Sequence, residues 1–290
     1  MGPLALLLIL SLLQGLTEYL PVSSSGHLVL ARLFLPGGER LPNDATVEVW
    51  LHLGTLGAVL VFYRREILNI LAGLLGRGPD VAGERRLALY IILGSIPAAI
   101  VGLGLEEAIE ATFAGPGAAA CGLLVTGTFL WASRWLGASQ NATAGTGATC
   151  AAPGHDGPSS GTALCARLAL IIGCAQALAI LPGISRSGAT IVTALYLGLT
   201  IERAAAFSFL LSIPAVGGAA ILKLPDLMAQ PLEAGAGATA GQLFLALLCT
   251  FLVGLAALKL LLRIARSRRL HWFAPYCWTV GCVAAWAALT

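Results

Sequence analysis

Long apolar runs separated by short polar segments dominate this chain. Six runs are long enough to cross a membrane, because about 20 helical residues span a hydrocarbon core about 30 Å thick. The strict alternation of apolar and polar residues that a transmembrane β-barrel needs does not occur. The pattern predicts an all-α polytopic membrane protein with six transmembrane helices. The predicted spans are residues 47–63, 87–104, 117–136, 204–222, 241–262 and 271–289.

Two further apolar regions, residues 4–34 and 165–199, are each interrupted by a segment rich in Pro, Gly and Ser. The interruptions lie at residues 21–27 and 182–188. Irregular backbone at membrane depth is tolerated only where it is buried in protein or lines a wet cavity. We therefore predict two re-entrant helix hairpins, each of which enters and leaves the membrane on one side.

The two interrupted regions resemble each other. Segments 14–26 and 176–188 each begin with Gln, contain a Leu-Pro pair and end with Ser-Gly at the same distance from the Gln. Hairpins that enter from opposite sides predict an inverted repeat with a binding site between its halves. Residues 1–290 would then form one integral membrane domain, with a first half at 1–136 and a second half at 164–290.

Composition and charge support this interpretation. The 290 residues are 58% hydrophobic and 11% charged, against about 25% charged in a soluble domain, so a soluble enzyme is excluded. A net charge of +3 is too small to indicate a nucleic acid partner.

Twelve basic residues lie on one side of the predicted topology, and Arg32, Arg40 and Lys223 lie on the other. The positive-inside rule makes the twelve-residue side cytoplasmic, and the polar segment 137–163 becomes a flexible cytoplasmic loop. The twelve are Arg64, Arg65, Arg77, Arg85, Arg86, Arg134, Arg167, Arg203, Arg263, Arg266, Arg268 and Arg269.

Gln14 and Glu18 place two polar side chains inside the first hairpin. They are four residues apart and therefore share one face of a helix. A carboxylate inside the bilayer is costly and indicates a functional site. Glu18 is a candidate proton acceptor, metal ligand or partner of a cation, and the alternative is a structural hydrogen bond to nearby serines.

Ser23, Ser24, Ser25 and Gly26 begin the half-helix that follows, just before His27. A helix N-terminus offers free N–H groups and a positive dipole end, which suit a phosphate. Ser24 is a candidate nucleophile if a base lies near it. His27 is a candidate to accept a proton, to donate one to a leaving oxygen, or to attack phosphorus itself.

Arg186 is the most informative residue of the second interruption. An arginine at membrane depth is costly unless it is paired or hydrated, and its planar fork binds phosphate oxygens in pairs. Ser185, Ser187, Gly188 and Thr190 surround it at a helix start and form a second candidate anion cradle. The alternative is an ion pair with the acidic residue of the first hairpin, and the two interpretations are compatible.

Both interruptions resemble motifs of a known family. Residues 14–27, Gln-Gly-Leu-Thr-Glu-Tyr-Leu-Pro-Val-Ser-Ser-Ser-Gly-His, are similar to the (E/Q)xxxE segment and Ser-Gly-His of bacterial undecaprenyl-diphosphate phosphatases of the bacitracin-resistance type. Residues 182–190, Pro-Gly-Ile-Ser-Arg-Ser-Gly-Ala-Thr, resemble their PGxSRSxxT motif. The similarity extends over nearly the whole chain.

This resemblance implies an enzyme of the bacterial cytoplasmic membrane whose site opens to the outer face. The enzyme would release the terminal phosphate of undecaprenyl diphosphate, recycle the carrier for peptidoglycan synthesis and confer bacitracin resistance through the shared substrate. The resemblance also implies a divalent cation, Mg or Ca, bound at Glu18, and a homodimer. We assign catalysis to Glu18, Ser24, His27 and Arg186, with Ser24, His27 or water as the nucleophile. We assign substrate binding to Gln14, Ser23, Ser25, Gly26, Ser185, Ser187, Gly188 and Thr190.

Two positions depart from the family pattern. Gln14 replaces a Glu that could bind metal, and His52 stands where we expect Gln, either as a packed residue or as a polar group near the site. A polyprenyl-phosphate transporter is the alternative function, because inverted repeats also build alternating-access carriers. A phosphatase of the acid-phosphatase type is rejected, since no histidine follows Ser185-Arg186 until His271.

Overall fold

The computed structural model describes residues 2–35, 45–113, 115–135, 163–223 and 239–289. These residues form eleven α-helices and two short 3₁₀-helices, at Ser133–Trp135 and Leu270–Trp272, and they contain no β-strand. The all-α prediction is therefore confirmed. The α-helices are α1 (Pro3–Thr17), α2 (Ser24–Phe34), α3 (Ala45–Phe62), α4 (Arg64–Leu74), α5 (Val81–Phe113), α6 (Pro116–Ala132), α7 (Ala166–Leu178), α8 (Arg186–Tyr196), α9 (Ile201–Leu222), α10 (Ala240–Arg266) and α11 (Phe273–Leu289).

Each of the six predicted spans coincides with a helix, namely α3, α5, α6, α9, α10 and α11. Five of these are long and apolar enough to cross a membrane, counting the 3₁₀ turns that extend α6 and α11. The exception is α3, which passes that test only together with α4, and the two are bent by 75°. The chain is thus a multi-pass membrane protein with five or six candidate spans in its described part.

The sequence pattern did not predict α4. Its leucines lie on an exposed face, with Leu68 and Leu71 at least half exposed, while Ile70 is buried. Arg64 and Arg65 at its start follow directly on α3. An amphipathic helix of this kind is easily taken for a polar loop, because its apolar residues are too few to form a continuous run.

The two interrupted regions each form two short helices with a break between them. The helices α1 and α2 contain 15 and 11 residues, and α7 and α8 contain 13 and 11. Each is shorter than the roughly 20 residues that a membrane span requires. Re-entrant insertion and the inverted repeat stay predictions, and nearly all of the predicted loop 137–163 lies outside the described residues.

Packing brings both breaks to the centre of the fold. The helix α10 packs on α1 and α3, α7 packs on α5, and α6 packs on both α2 and α8. The largest buried cluster joins apolar side chains of the first break to those of α8 and α9, including Tyr19, Leu20, Ile191 and Phe209. The polar residues of the two breaks are therefore held by a continuous apolar core.

Candidate active site

The two helix breaks contact each other directly. The backbone N–H of Gly183 donates to Ser25 Oγ at 3.4 Å, and Ser187 Oγ donates to the Leu20 carbonyl at 3.3 Å. These contacts join residues more than 150 positions apart in the sequence. Two chain segments that the sequence predicts separately thus build one site.

Glu18 lies at the centre of this site. Its Oε2 accepts hydrogen bonds from Gln14 Nε2 at 3.0 Å and from Ser24 Oγ at 2.6 Å. Its Oε1 forms an ion pair with Arg186 Nη2. His52 Nε2 lies 3.9 Å from Glu18 Oε2. One carboxylate therefore connects the first hairpin, the second hairpin and α3.

A serine caps the N-terminus of the second helix in each hairpin. Ser23 Oγ accepts from the N–H of Gly26 at 3.3 Å, and Ser185 Oγ accepts from the N–H of Gly188 at 3.1 Å. Each cap satisfies one of the first N–H groups of its helix, and the N–H groups before it have no partner within the helix. Both helices begin beside Glu18, since Ser24 of α2 donates to it and Arg186 of α8 pairs with it.

Thr126 of α6 fixes the second break in place. Its Oγ1 donates to the Gly183 carbonyl and accepts from the Ser185 N–H, both at 2.9 Å. Gly183 has a φ of +87°, and an added Cβ would lie 2.2 Å from the Ala119 carbonyl oxygen. Only glycine fits this conformation and this close approach. A single threonine in an apolar helix gives no sequence signal, so Thr126 was not predicted.

A cavity of about 380 Å³ lies between the two breaks, α3 and α9. Its polar lining residues include Glu18, Arg186 and His52. Its lining also contains apolar residues, because α9 contributes small side chains and the second break contributes two isoleucines. These apolar residues are Ala215, Val216, Ala219, Ala220, Ile180 and Ile184.

The cavity lies toward one end of the helix bundle. Glu48 near the start of α3 and Lys223 at the C-terminus of α9 both line it. Arg64 follows the other end of α3, and Arg203 lies near the start of α9. The cavity is therefore remote from the helix ends where these two arginines lie.

The structure places the predicted site residues in two groups. Three of the predicted catalytic residues line the cavity, and so do three of the predicted substrate-binding serines, while Gln14 lies buried next to Glu18. The lining residues are Glu18, Ser24, Arg186, Ser23, Ser25 and Ser185. The remaining predicted residues do not line this cavity.

Thr190, Ser187, Gly188 and Gly26 support the site from behind it. Thr190 Oγ1 donates to the Arg186 carbonyl at 2.8 Å and lies 2.5 Å from Ser208 Oγ. Gly26 and Gly188 are buried where the two breaks pack together. These four residues are not positioned to bind substrate directly, because their polar atoms face protein rather than the cavity.

His27 is also outside the cavity, contrary to the position expected for a nucleophile. Its Nδ1 lies 2.7 Å from the Ser23 carbonyl oxygen and its Nε2 lies 2.7 Å from the Tyr276 hydroxyl. The side chain is buried. Both ring nitrogens are occupied, so neither is free to attack phosphorus. Tyr276 on α11 was not predicted, since it lies about 250 residues away in an apolar span.

The side chains around Glu18 include candidate ligands for a divalent cation. In the described part of the chain no three His, Cys, Asp or Glu side chains cluster as a metal site. Gln14 Oε1, however, is buried beside Glu18 without a hydrogen-bond partner among the described residues. This oxygen, the Glu18 carboxylate and the imidazole of His52 are donors of the kinds that divalent cations accept.

Comparison with known proteins identifies the family. Residues 7–283 match the family described as bacitracin resistance protein BacA. The chain belongs to the BacA family. This confirms the resemblance based on the motifs at 14–27 and 182–190.

Relatives of this BacA-family protein align with it over nearly its whole length. One from Korarchaeum cryptofilum is 40% identical over 94% of this chain and 95% of the relative. One from Desulfosudis oleivorans is 41% identical over 97% of both chains. One from Desulforapulum autotrophicum is 42% identical over 95% of both chains. All three are named undecaprenyl-diphosphatase.

Proposed function

We propose that this BacA-family protein is an undecaprenyl-diphosphatase, which releases the terminal phosphate of undecaprenyl diphosphate. The convergence of Glu18, Ser24 and Arg186 in one cavity carries the proposal. The names of the full-length relatives support the same activity. Recycling of the monophosphate carrier for peptidoglycan synthesis and resistance to bacitracin follow from this reaction.

The lining of the cavity suits both parts of such a lipid. Its polar residues offer a guanidinium, hydroxyls and helix N-termini to a diphosphate. Its apolar residues, most of them on α9, offer a surface to the polyprenyl chain. A lipid with a charged head and an apolar chain can therefore place each of these parts against residues of matching polarity.

In this proposal Arg186 binds the terminal phosphate. Its Nη2 contacts Glu18, whereas its buried Nη1 has no hydrogen-bond partner among the described residues. A guanidinium binds two phosphate oxygens at once and stabilises charge that develops during transfer. The N–H groups at the starts of α2 and α8 add further donors.

In this proposal Ser24 is the nucleophile and Glu18 is the base, and their hydrogen bond at 2.6 Å supports these roles. Ser24 Oγ would form a bond to the terminal phosphorus while the bridging P–O bond breaks and the hydroxyl proton passes to Glu18. Lipid monophosphate leaves, and water then hydrolyses the phosphoserine to release phosphate. Direct attack by a water molecule that Glu18 activates is the alternative route.

Glu18, Gln14 Oε1 and His52 are the residues that would hold a divalent cation, Mg or Ca. Such an ion supplies charge neutralisation at phosphate oxygens. We also propose that the protein lies in the bacterial cytoplasmic membrane as a homodimer, with the cavity open to the outer face. The position of the cavity, away from the arginine-rich helix ends, supports that orientation.

Phosphate release from a C55 diphosphate by purified protein in detergent tests the proposed function. We expect the wild-type protein to release phosphate, and Ser24→Ala and Arg186→Ala to lose most of that activity. Absence of release by the wild-type protein with either Mg or Ca, or near-wild-type release by Arg186→Ala, would overturn the assignment.

A further inference from the structure

His27 connects α11 to the turn that presents Ser24. Its Nδ1 contacts the Ser23 carbonyl oxygen, which can only accept, so Nδ1 carries a proton. In the neutral imidazole Nε2 is then an acceptor, and the hydroxyl of Tyr276 donates to it at 2.7 Å. The two rings are stacked, with centroids 5.6 Å apart and planes 3° apart.

Ser23 needs such a connection because its backbone is strained. Its φ is +68°, a region that L-residues other than Asn and Asp rarely adopt. Strained conformations of this kind persist only where the surrounding structure over-determines them. The donation from His27 to the Ser23 carbonyl is one of the contacts that hold this residue, and Ser24 follows it directly.

A second contact from α11 reaches the same turn. Cys277, next to Tyr276, lies with its Sγ 3.8 Å from the Pro21 carbonyl oxygen. Cys277 is buried, whereas Tyr276 is 47% exposed. The helix α11 therefore supports the first break at two successive residues, although it contributes nothing to the cavity wall.

We propose that Tyr276 is a positioning residue for the phosphatase reaction, acting through His27 on Ser23 and Ser24. The proposal rests on the proposed function. The tyrosine hydroxyl selects the imidazole tautomer that donates to Ser23, and this donation holds the turn that aims the Ser24 hydroxyl at Glu18. On this basis His27 acts by holding the backbone rather than by transferring a proton to the substrate.

The first test is Tyr276→Phe, which keeps the stacked ring and removes only the donor. Loss of one hydrogen bond of this kind predicts a fall in kcat of about five- to tenfold, with KM little changed. Tyr196→Phe is the matched control, because Tyr196 is 49% exposed and donates to the Ala132 carbonyl away from the site. We expect wild-type kcat from the control.

The second test measures the tautomer itself. The chain has four histidines, and in protein labelled with ¹⁵N-histidine the resonances of His27 can be assigned by their loss in His27→Asn. We expect an unprotonated Nε2 in the wild-type protein and a shift toward protonated Nε2 in Tyr276→Phe. Unchanged spectra together with unchanged kcat would overturn the proposal.

The third test separates positioning from proton transfer. In His27→Asn the side-chain amide can still donate to the Ser23 carbonyl, whereas His27→Ala has no donor. We expect His27→Asn to retain about tenfold more activity than His27→Ala. Equal inactivity of the two variants would show that the imidazole itself is required and would overturn the proposal. Failure of the proposed function is distinguishable, because the wild-type protein would then release no phosphate while the tautomer would still be measurable.

Discussion

Glu18 and Arg186 are 168 residues apart in the sequence and form an ion pair across the two helix breaks. Their side chains are only 7% and 17% exposed. A buried pair is costly to assemble, but removal of one partner is worse, because the other charge then stays buried without compensation. The pair therefore links the stability of the fold to the binding of an anion, since a substrate phosphate can replace Glu18 as the partner of Arg186.

Arg186→Ala should reduce both stability and activity. We expect the free energy of unfolding to fall by about 3–5 kcal/mol because Glu18 loses its partner. Phosphate release should fall by about 10²- to 10³-fold, as for loss of a group that stabilises transition-state charge. Arg186→Lys should recover part of the stability and little of the activity, since an ammonium lacks the planar fork. Unfolding in detergent and phosphate release measure the two effects.

Arg266→Ala is the control for this prediction. Arg266 Nε lies 3.3 Å from Glu202 Oε1, and both side chains are more than half exposed. An exposed pair contributes less than about 1 kcal/mol, and this one lies outside the cavity. If Arg266→Ala and Arg186→Ala changed activity equally, the proposed role of the Glu18–Arg186 pair in phosphate release would be contradicted.

Ser24→Ala and Ser25→Ala should differ strongly. Both side chains line the cavity, but only Ser24 donates to Glu18, at 2.6 Å. We expect Ser24→Ala to lower kcat by about 10³-fold or more, as for loss of a nucleophile. Ser25 contacts Ser23 Oγ and the Gly183 N–H, so Ser25→Ala should cost no more than about tenfold. Comparable activity in the two variants would favour direct attack by water.

Divalent cations should bind at Glu18 and His52. We expect a chelator to abolish phosphate release and added Mg or Ca to restore it. Binding itself can be measured with Mn by electron paramagnetic resonance, independently of activity. Glu18→Gln should abolish binding, and His52→Gln should weaken it and reduce any preference for metals that favour imidazole. His271→Gln is the control, because His271 lies outside the cavity. Equal binding by all three variants would contradict this site.

The sequence predicts the positions of the six long helices and singles out Glu18 and Arg186, for physical reasons. Apolar runs determine which segments can span a membrane, and each of the six predicted spans coincides with a helix. Glu18 and Arg186 are recognisable because charges at membrane depth are rare and costly. Their pairing was one of the predicted alternatives, and the structure places them in contact.

The supporting residues could not be predicted in the same way. Tyr276 and Thr126 look like ordinary polar residues in apolar helices, and their roles depend on which helices pack together. Conversely, His27 and Thr190 belong to motifs whose residue types suit catalysis or phosphate binding, yet their polar atoms face protein. Sequence spacing identifies residues on one hairpin, but it does not determine which side of a turn faces the cavity.

Thr126→Val tests how far the site depends on α6. Valine keeps the shape of threonine but cannot accept from the Ser185 N–H or donate to the Gly183 carbonyl. Thr126 is 3% exposed, so both backbone groups would lose their partner in a buried place, at about 1–3 kcal/mol each. Because Ser185 caps the helix that begins with Arg186, we also expect phosphate release to fall by about tenfold.

Two variants test whether loss of the Thr126 hydroxyl causes these changes in stability and phosphate release. Thr126→Ser keeps the hydroxyl and should recover most of the activity, at the cost of a lost methyl group. Thr279→Val makes the same change at an exposed position, where the hydroxyl donates to the Pro275 carbonyl within one helix, and should behave as wild type. If Thr126→Val matched Thr279→Val in both its free energy of unfolding and its phosphate release, the second break would be held by its own packing rather than by α6.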